Sequence, residues 1–134
     1  VGFPGESERE FSDTVALLND LPVGYLHVFP FSPRPGTPAA DFPDPVPPAV
    51  ITQRCNLLRR MSATFREKFS RQQKGRTEII RVEDQRDRMT GLLKGVTANY
   101  LTVLVQGDDA LKNIDVSVTI GECLGGLRVR GEIA

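Results

Sequence analysis

The chain has 134 residues, enough for one ordinary domain or two small ones, and 40% hydrophobic with 25% charged residues is a globular balance. Lys plus Arg and Asp plus Glu each number 17, so zero net charge singles out no polyanion partner, and any such argument rests on local clustering. No run of about 18 apolar residues offers a membrane-spanning helix, and no membrane partner is expected.

Val1 to Glu6, VGFPGE, reads as a tight turn, with two glycines and a proline in close order. The chain opens on Val1 within an apolar-to-glycine transition, and it reads as a piece of something longer. Ser7 caps a helix and Glu10 completes a capping box. Phe11, Val15, Leu18 and Leu21 recur at helical spacing, which predicts a helix over 7–20, ended by Pro22 and Gly24.

A strand is predicted over 24–30, where Tyr25, His27 and Phe29 alternate with Leu26 and Val28. A strand before Val1 would complete a right-handed β-α-β unit of a parallel sheet. The run Tyr25 to Ala40 then breaks at Pro30 into a loop with Pro33, Pro35, Gly36 and Pro38. That loop presents Ser32, Arg34 and Thr37, either as functional side chains at a strand end or as a Pro-rich surface turn.

Asp41 to Pro48 is a rigid, proline-rich spacer that places Pro48 near a first helical position. A long amphipathic helix follows over 49–72, with Ile51, Cys55, Leu58, Met61, Phe65 and Phe69 on one face. Its other residues are basic: Arg54, Arg59, Arg60, Arg66, Lys68 and Arg71, with Lys74 and Arg76 just beyond. The stripe reads either as a solvated helix face or as a surface for a phosphate backbone. Lys74-Gly75 closes the helix, and a domain boundary is set there, dividing 1–74 from 75–134.

Beyond Gly75 five short strands are predicted: Thr77–Val82, Met89–Lys94, Tyr100–Val105, Val116–Ile120 and Leu127–Ile133. So many short strands suggest a small closed barrel, because closure removes exposed edges. Such barrels often bind single-stranded or looped nucleic acid, and Tyr100, Arg88, Lys94, Lys112, Arg128 and Arg130 are available here. The same region carries Glu78, Glu83, Asp84, Asp87, Asp108, Asp109, Asp115, Glu122 and Glu132, so it is mixed in charge.

Composition and spacing supply no reaction. The only histidine, His27, reads as a hydrogen-bonded structural residue or as a base without partners. VGFPGE lacks the Lys-Ser/Thr of a phosphate loop. Cys55 and Cys123 form no metal-ligand spacing, read as small apolar packing residues, and fit a reducing, cytoplasmic setting.

Three stretches taken together resemble a known family. VGFPGE before an amphipathic helix, then HVFPFSPRPGTPAA, then GLLKGVTANYLTVLV, are similar to the C-terminal part of the radical S-adenosylmethionine methylthiotransferases. The second stretch is most similar to the subgroup acting on N6-threonylcarbamoyladenosine beside the tRNA anticodon. The resemblance implies an α/β piece, the end of a radical-enzyme partial β/α barrel, followed by an all-β five-stranded TRAM or OB-like barrel that binds RNA. It implies that Gly2, Pro4, Gly5 and Glu6 lie near S-adenosylmethionine in the full enzyme, and that Ser32, Arg34, Gly36 and Thr37 face the substrate. The family's Cys-x-x-x-Cys-x-x-Cys motif is absent, so the 4Fe-4S clusters would belong to the remainder of the protein and this piece alone would be inactive. Phe31 stands where many members have Tyr.

The expected partners are tRNA, through the anticodon stem-loop, and the rest of the same protein. For RNA contact Arg34, Arg71, Lys74, Arg76 and Tyr100 are the candidates, beside Ser32 and Thr37. A stand-alone RNA-binding module and a protein-interaction piece remain alternatives. In the latter, bare apolar faces would drive self-association, for instance as a homodimer of the isolated fragment.

Overall fold

A computed structural model describes residues 1–134, which form two compact units, Val1–Phe65 and Arg66–Ala134. The units meet in sequence inside one helix and not at residue 74.

The first unit begins with a turn closed by the Glu6 amide donating to the Phe3 carbonyl at 2.9 Å, with Pro4-Gly5 at its centre and Gly5 at φ 81°. Helix α1 spans Glu8–Asp20. Ser7 and Glu10 form the reciprocal box expected of them: the Glu10 amide donates to Ser7 Oγ at 3.2 Å and the Ser7 amide to Glu10 Oε2 at 2.8 Å.

Residues 22–34 are extended but form no strand ladder, contrary to the strand expected at 24–30. Val1 bonds both flanks of Pro30: its amino group donates to the Phe29 carbonyl, and its carbonyl accepts from the Phe31 amide at 2.7 Å. One residue bonding two that flank its neighbour is the pattern of parallel pairing, limited here to a single position. Further along, the hydroxyl of Ser62 replaces a strand partner, accepting from the Leu26 amide at 2.9 Å and donating to the Leu26 carbonyl at 3.1 Å.

Helix α2 spans Pro48–Gln72, close to the expected 49–72, with Pro48 as its first residue. Its buried positions in the first unit are Arg54, Cys55, Leu58 and Ser62, which with Phe11 form a narrow core.

The second unit holds the end of α2 and a closed barrel of five strands: β1 Thr77–Val82, β2 Leu93–Val96, β3 Thr102–Val105, β4 Asp115–Gly125 and β5 Arg128–Ile133. Around the barrel the order is β1-β2-β3-β5-β4, antiparallel except for the parallel β3–β5 pair. This is consistent with the OB-like barrel expected. Alternation sends Ile80, Val82, Leu93, Val103, Val105, Val118, Ile120 and Val129 inward, all nearly or wholly buried. Gly95 lets β2 approach β1, since a Cβ there would lie 2.5 Å from the Arg81 carbonyl oxygen. The last turns of α2 belong to this unit for a physical reason: Phe69 packs on the barrel core, and Ser70 Oγ donates to the Gly126 carbonyl at 2.6 Å.

The strand expected over Met89–Lys94 begins only at Leu93. Asp87 draws the chain into a turn instead, accepting from the Thr90 amide at 2.9 Å and the Thr90 hydroxyl at 2.7 Å.

Candidate nucleic-acid interface

In the first unit, Glu6 is committed within the fold. Its carboxylate accepts from the Gly2 amide at 2.7 Å and pairs with Arg54 at 2.8 Å. Arg54 also pairs with Glu8 at 3.1 Å and lies 5.0 Å from the centre of the Phe11 ring. Arg54 thus leaves the basic stripe: it is buried and structural, not solvated. Gly2 sits at φ 83° against Ile51, and beside it a cavity of about 200 Å³ is lined by Pro4, Phe31, Ala39 and Phe42. That lining is apolar.

Ser32, Arg34 and Thr37 are all exposed. The Thr37 amide and hydroxyl both donate to the Arg34 carbonyl, at 3.1 and 2.8 Å, which fixes the loop and leaves the Arg34 guanidinium free. Phe31 packs edge-on against Phe3 at 5.2 Å, so the ring has a structural place without a hydroxyl. His27, expected to be a hydrogen-bonded structural residue, is exposed, with its ring edge-on to Tyr25 at 5.2 Å.

In the second unit most barrel cations are already paired. Arg81 pairs with Asp115, Arg86 and Lys112 share Asp109, Lys94 pairs with Glu83, and Arg128 pairs with Asp87. Arg76, Arg88 and Arg130 have no acid partner and are exposed. At the helix end Arg71 lies 3.7 Å from Glu67, an exposed pair of little energetic weight, and Lys74 is free. Arg76 donates to Gln73 Oε1 at 3.1 Å.

Tyr100 stands at the tip of the β2–β3 hairpin, 66% exposed, with φ 68°. A left-handed aromatic residue costs about 1 kcal/mol. Thr97 holds it there: the Tyr100 amide donates to the Thr97 carbonyl at 3.0 Å, and Thr97 Oγ1 accepts from the Leu101 amide at 3.0 Å. Val96, the last residue of β2 before this turn, pairs with Arg81 of β1 and Thr102 of β3. Of Arg88, Met89 and Arg130, the sequence names the two arginines among the available cations and misses only Met89, which it places in a strand. The Asp87–Thr90 spacing was the available sign of a turn that exposes the first two.

The donor set does not fit an iron–sulfur cluster. Cys55 and Cys123 lie in different units, and no three His, Cys, Asp or Glu side chains converge. In the Gly2–Glu6 turn the one carboxylate is taken up by Arg54 and the Gly2 amide.

No protein-family model matches the chain. It is 33% identical over 120 residues to a tRNA-2-methylthio-N(6)-dimethylallyladenosine synthase of Pelotomaculum thermopropionicum, covering 90% of this chain and 27% of that protein. Identity to the synthase of the same name from Alcanivorax borkumensis is 39% over 121 residues, covering 88% and 27%. For the one from Methylobacillus flagellatus it is 35% over 133 residues, covering 99% and 30%. The dimethylallyladenosine name gives no support to the threonylcarbamoyladenosine subgroup expected from the second motif. The chain spans just over a quarter of the length of these relatives, and across both of its units it is similar to the C-terminal part of enzymes named as tRNA methylthio synthases.

Proposed function

We propose that this chain is the C-terminal portion of an enzyme that adds a methylthio group to an N6-modified adenosine of tRNA, and that its share of the work is to grip RNA. The observation that supports this is the run of similarity through both units to relatives whose names state that product. On this reading the remainder of the protein supplies the 4Fe-4S clusters and most of the S-adenosylmethionine site. Gly2, Pro4 and Gly5 contribute an apolar wall near that site, with Glu6 bracing it through Arg54. Ser32, Arg34 and Thr37 face the substrate, and Arg34 is the one free cation among them.

The barrel unit holds tRNA at the anticodon stem-loop. Arg71, Lys74 and Arg76 neutralise phosphates, and Tyr100 offers its ring to an unpaired base. The strained backbone of Tyr100 favours that role, because an exposed aromatic held in an unfavourable conformation has no packing reason to be there. We take the substrate nucleoside to be N6-dimethylallyladenosine, following the relatives' names. Threonylcarbamoyladenosine, favoured by the His27–Ala40 run, is the alternative. The setting is cytoplasmic.

The test has two parts. Nucleosides from tRNA of a strain lacking the whole gene are compared by mass spectrometry with those of the parent. Loss of the methylthio-dimethylallyl nucleoside is expected, loss of the threonylcarbamoyl one would transfer the assignment, and no loss would sink the reading. Separately, Lys74→Ala with Arg76→Ala should flatten the salt dependence of stem-loop binding by about one unit per lost phosphate contact. An unchanged slope would mean that those cations only solvate the helix end.

A further inference from the structure

The apolar cavity of about 200 Å³ beside Gly2 lies wholly within the first unit. Its walls are fastened before anything enters. The Phe31 amide donates to the Val1 carbonyl at 2.7 Å, and the Gly5 amide donates to the Asp44 carbonyl at 2.8 Å, which ties the proline-rich spacer to the turn. Phe3 braces two of the lining rings, edge-on to Phe31 at 5.2 Å and to Phe42 at 5.8 Å. Little ordering cost remains for walls bonded in this way.

The lining is poor in hydrogen-bond donors as well as apolar. No charged or polar side chain contributes to it. Pro4, Pro33 and Pro45 have no amide hydrogen to offer. The Gly2 amide is already donated to Glu6 Oε2, and the amides of Phe31, Ala40 and Ile51 to the carbonyls of Val1, Thr37 and Pro47. A guest carboxylate or hydroxyl would lose its water there with little to replace it. A hydrocarbon guest forfeits no hydrogen bond. An apolar cavity of roughly 150 Å³ stays dry and takes a six-carbon ring, so the larger space here admits a branched chain of five carbons.

The loop that forms one wall has two faces. Residues 22–34 are extended, so successive side chains alternate. Phe31 and Pro33 line the cavity, while Ser32 and Arg34 between and beside them are exposed. Such a wall suits a ligand with an apolar limb on a polar, anionic body.

We propose that this cavity takes the dimethylallyl limb on N6 of the target adenosine, and that Phe31, Ala39, Ala40 and Phe42 set the preference for that limb. The nucleotide itself stays outside, toward Ser32 and Arg34. A threonylcarbamoyl limb is turned away, because its carboxylate finds no donor in the lining. The assignment rests on the methylthio-transfer reading above and adds to it the residues that read the substrate.

The test uses the full-length protein with anticodon stem-loop RNAs that differ only in the N6 substituent of the target adenosine: dimethylallyl, methyl or threonylcarbamoyl. The unaltered protein should bind the dimethylallyl RNA about tenfold or more tightly than the N6-methyl RNA. Ala40→Phe, which fills the space, should cut that preference to about twofold or less. The methyl resonances of Ala39 and Ala40 in the unaltered protein need no variant to fold. They should shift on adding the dimethylallyl RNA and stay in place with the other two. If RNA binds without preference among the limbs, or binds with the alanine methyls unmoved by the dimethylallyl RNA, the cavity assignment falls and the RNA-gripping reading stands. Movement of those methyls by S-adenosylmethionine alone would give the cavity to the cofactor and overturn the assignment as well. If none of the RNAs binds and none is methylthiolated, the reading of the whole chain falls and this assignment with it.

Discussion

The two units are held by different means. The barrel closes its own ladder, so its backbone groups find partners within the ring, and its core is a dry cluster of branched aliphatic side chains. The first unit has little such core. Its extended segment leans on a serine hydroxyl, and its turn is fastened to α2 by one arginine between two glutamates. Phe29, Leu17 and Leu21 stay exposed at 71, 58 and 48%. Stability therefore resides in apolar packing in one unit and in a few polar joints in the other.

That contrast is open to direct attack. Leu93→Ala, at a wholly buried barrel position, should cost about 2–5 kcal/mol, read as a lower denaturation midpoint with faster exchange in β2 and β3. Arg54→Ala should cost about 3 kcal/mol because it strands the Glu6 carboxylate, and it should free the Gly2 amide to exchange. A loss under about 1 kcal/mol would show that the joint is ornamental and that the first unit is held by packing after all. Ser70→Ala should cost about 1–3 kcal/mol by leaving the Gly126 carbonyl unpaired, which is visible in exchange at the β4–β5 turn. Ser7→Ala should cost about 1 kcal/mol, confined to fraying of α1.

The smallest expected effect is one of pH. The Asp87 carboxyl lies below its ordinary value of 3.8, first through the hydrogen bond from the Thr90 side chain, with Arg128 adding to it. The unfolded chain then takes up this proton at a higher pH than the folded one. The contribution of Asp87 is thus complete above about pH 4 and is lost as the pH falls through the lower folded value. The Thr90 amide resonance should be flat through neutral pH and move only in acid. Movement near neutrality would point to a different controlling group.

What could be read from the sequence was what short-range chemistry decides. Ser7 and Glu10 fix the start of α1 within one turn, and an uninterrupted period fixes α2. Thr77–Val82 follows its alternation to the residue. The misreadings share a cause: each depended on a partner distant in sequence. Arg54 belongs to the core because Glu6 lies 48 residues before it. Residues 24–30 have strand-like composition, but a ladder needs a neighbour, and Val1 provides one position only. The helix end joins the barrel unit because Ser70 meets Gly126, 56 residues on. At the interface, composition named the cations but could not say which were already paired.

The position of β5 has a consequence for biosynthesis. The last strand is the one inserted between β3 and β4, through the only parallel pairing in the ring. A ribosome paused before residue 128 would hold four strands of a sheet with two open edges and its aliphatic face uncovered. The barrel half of the molecule therefore cannot close its aliphatic core until nearly all of it has emerged.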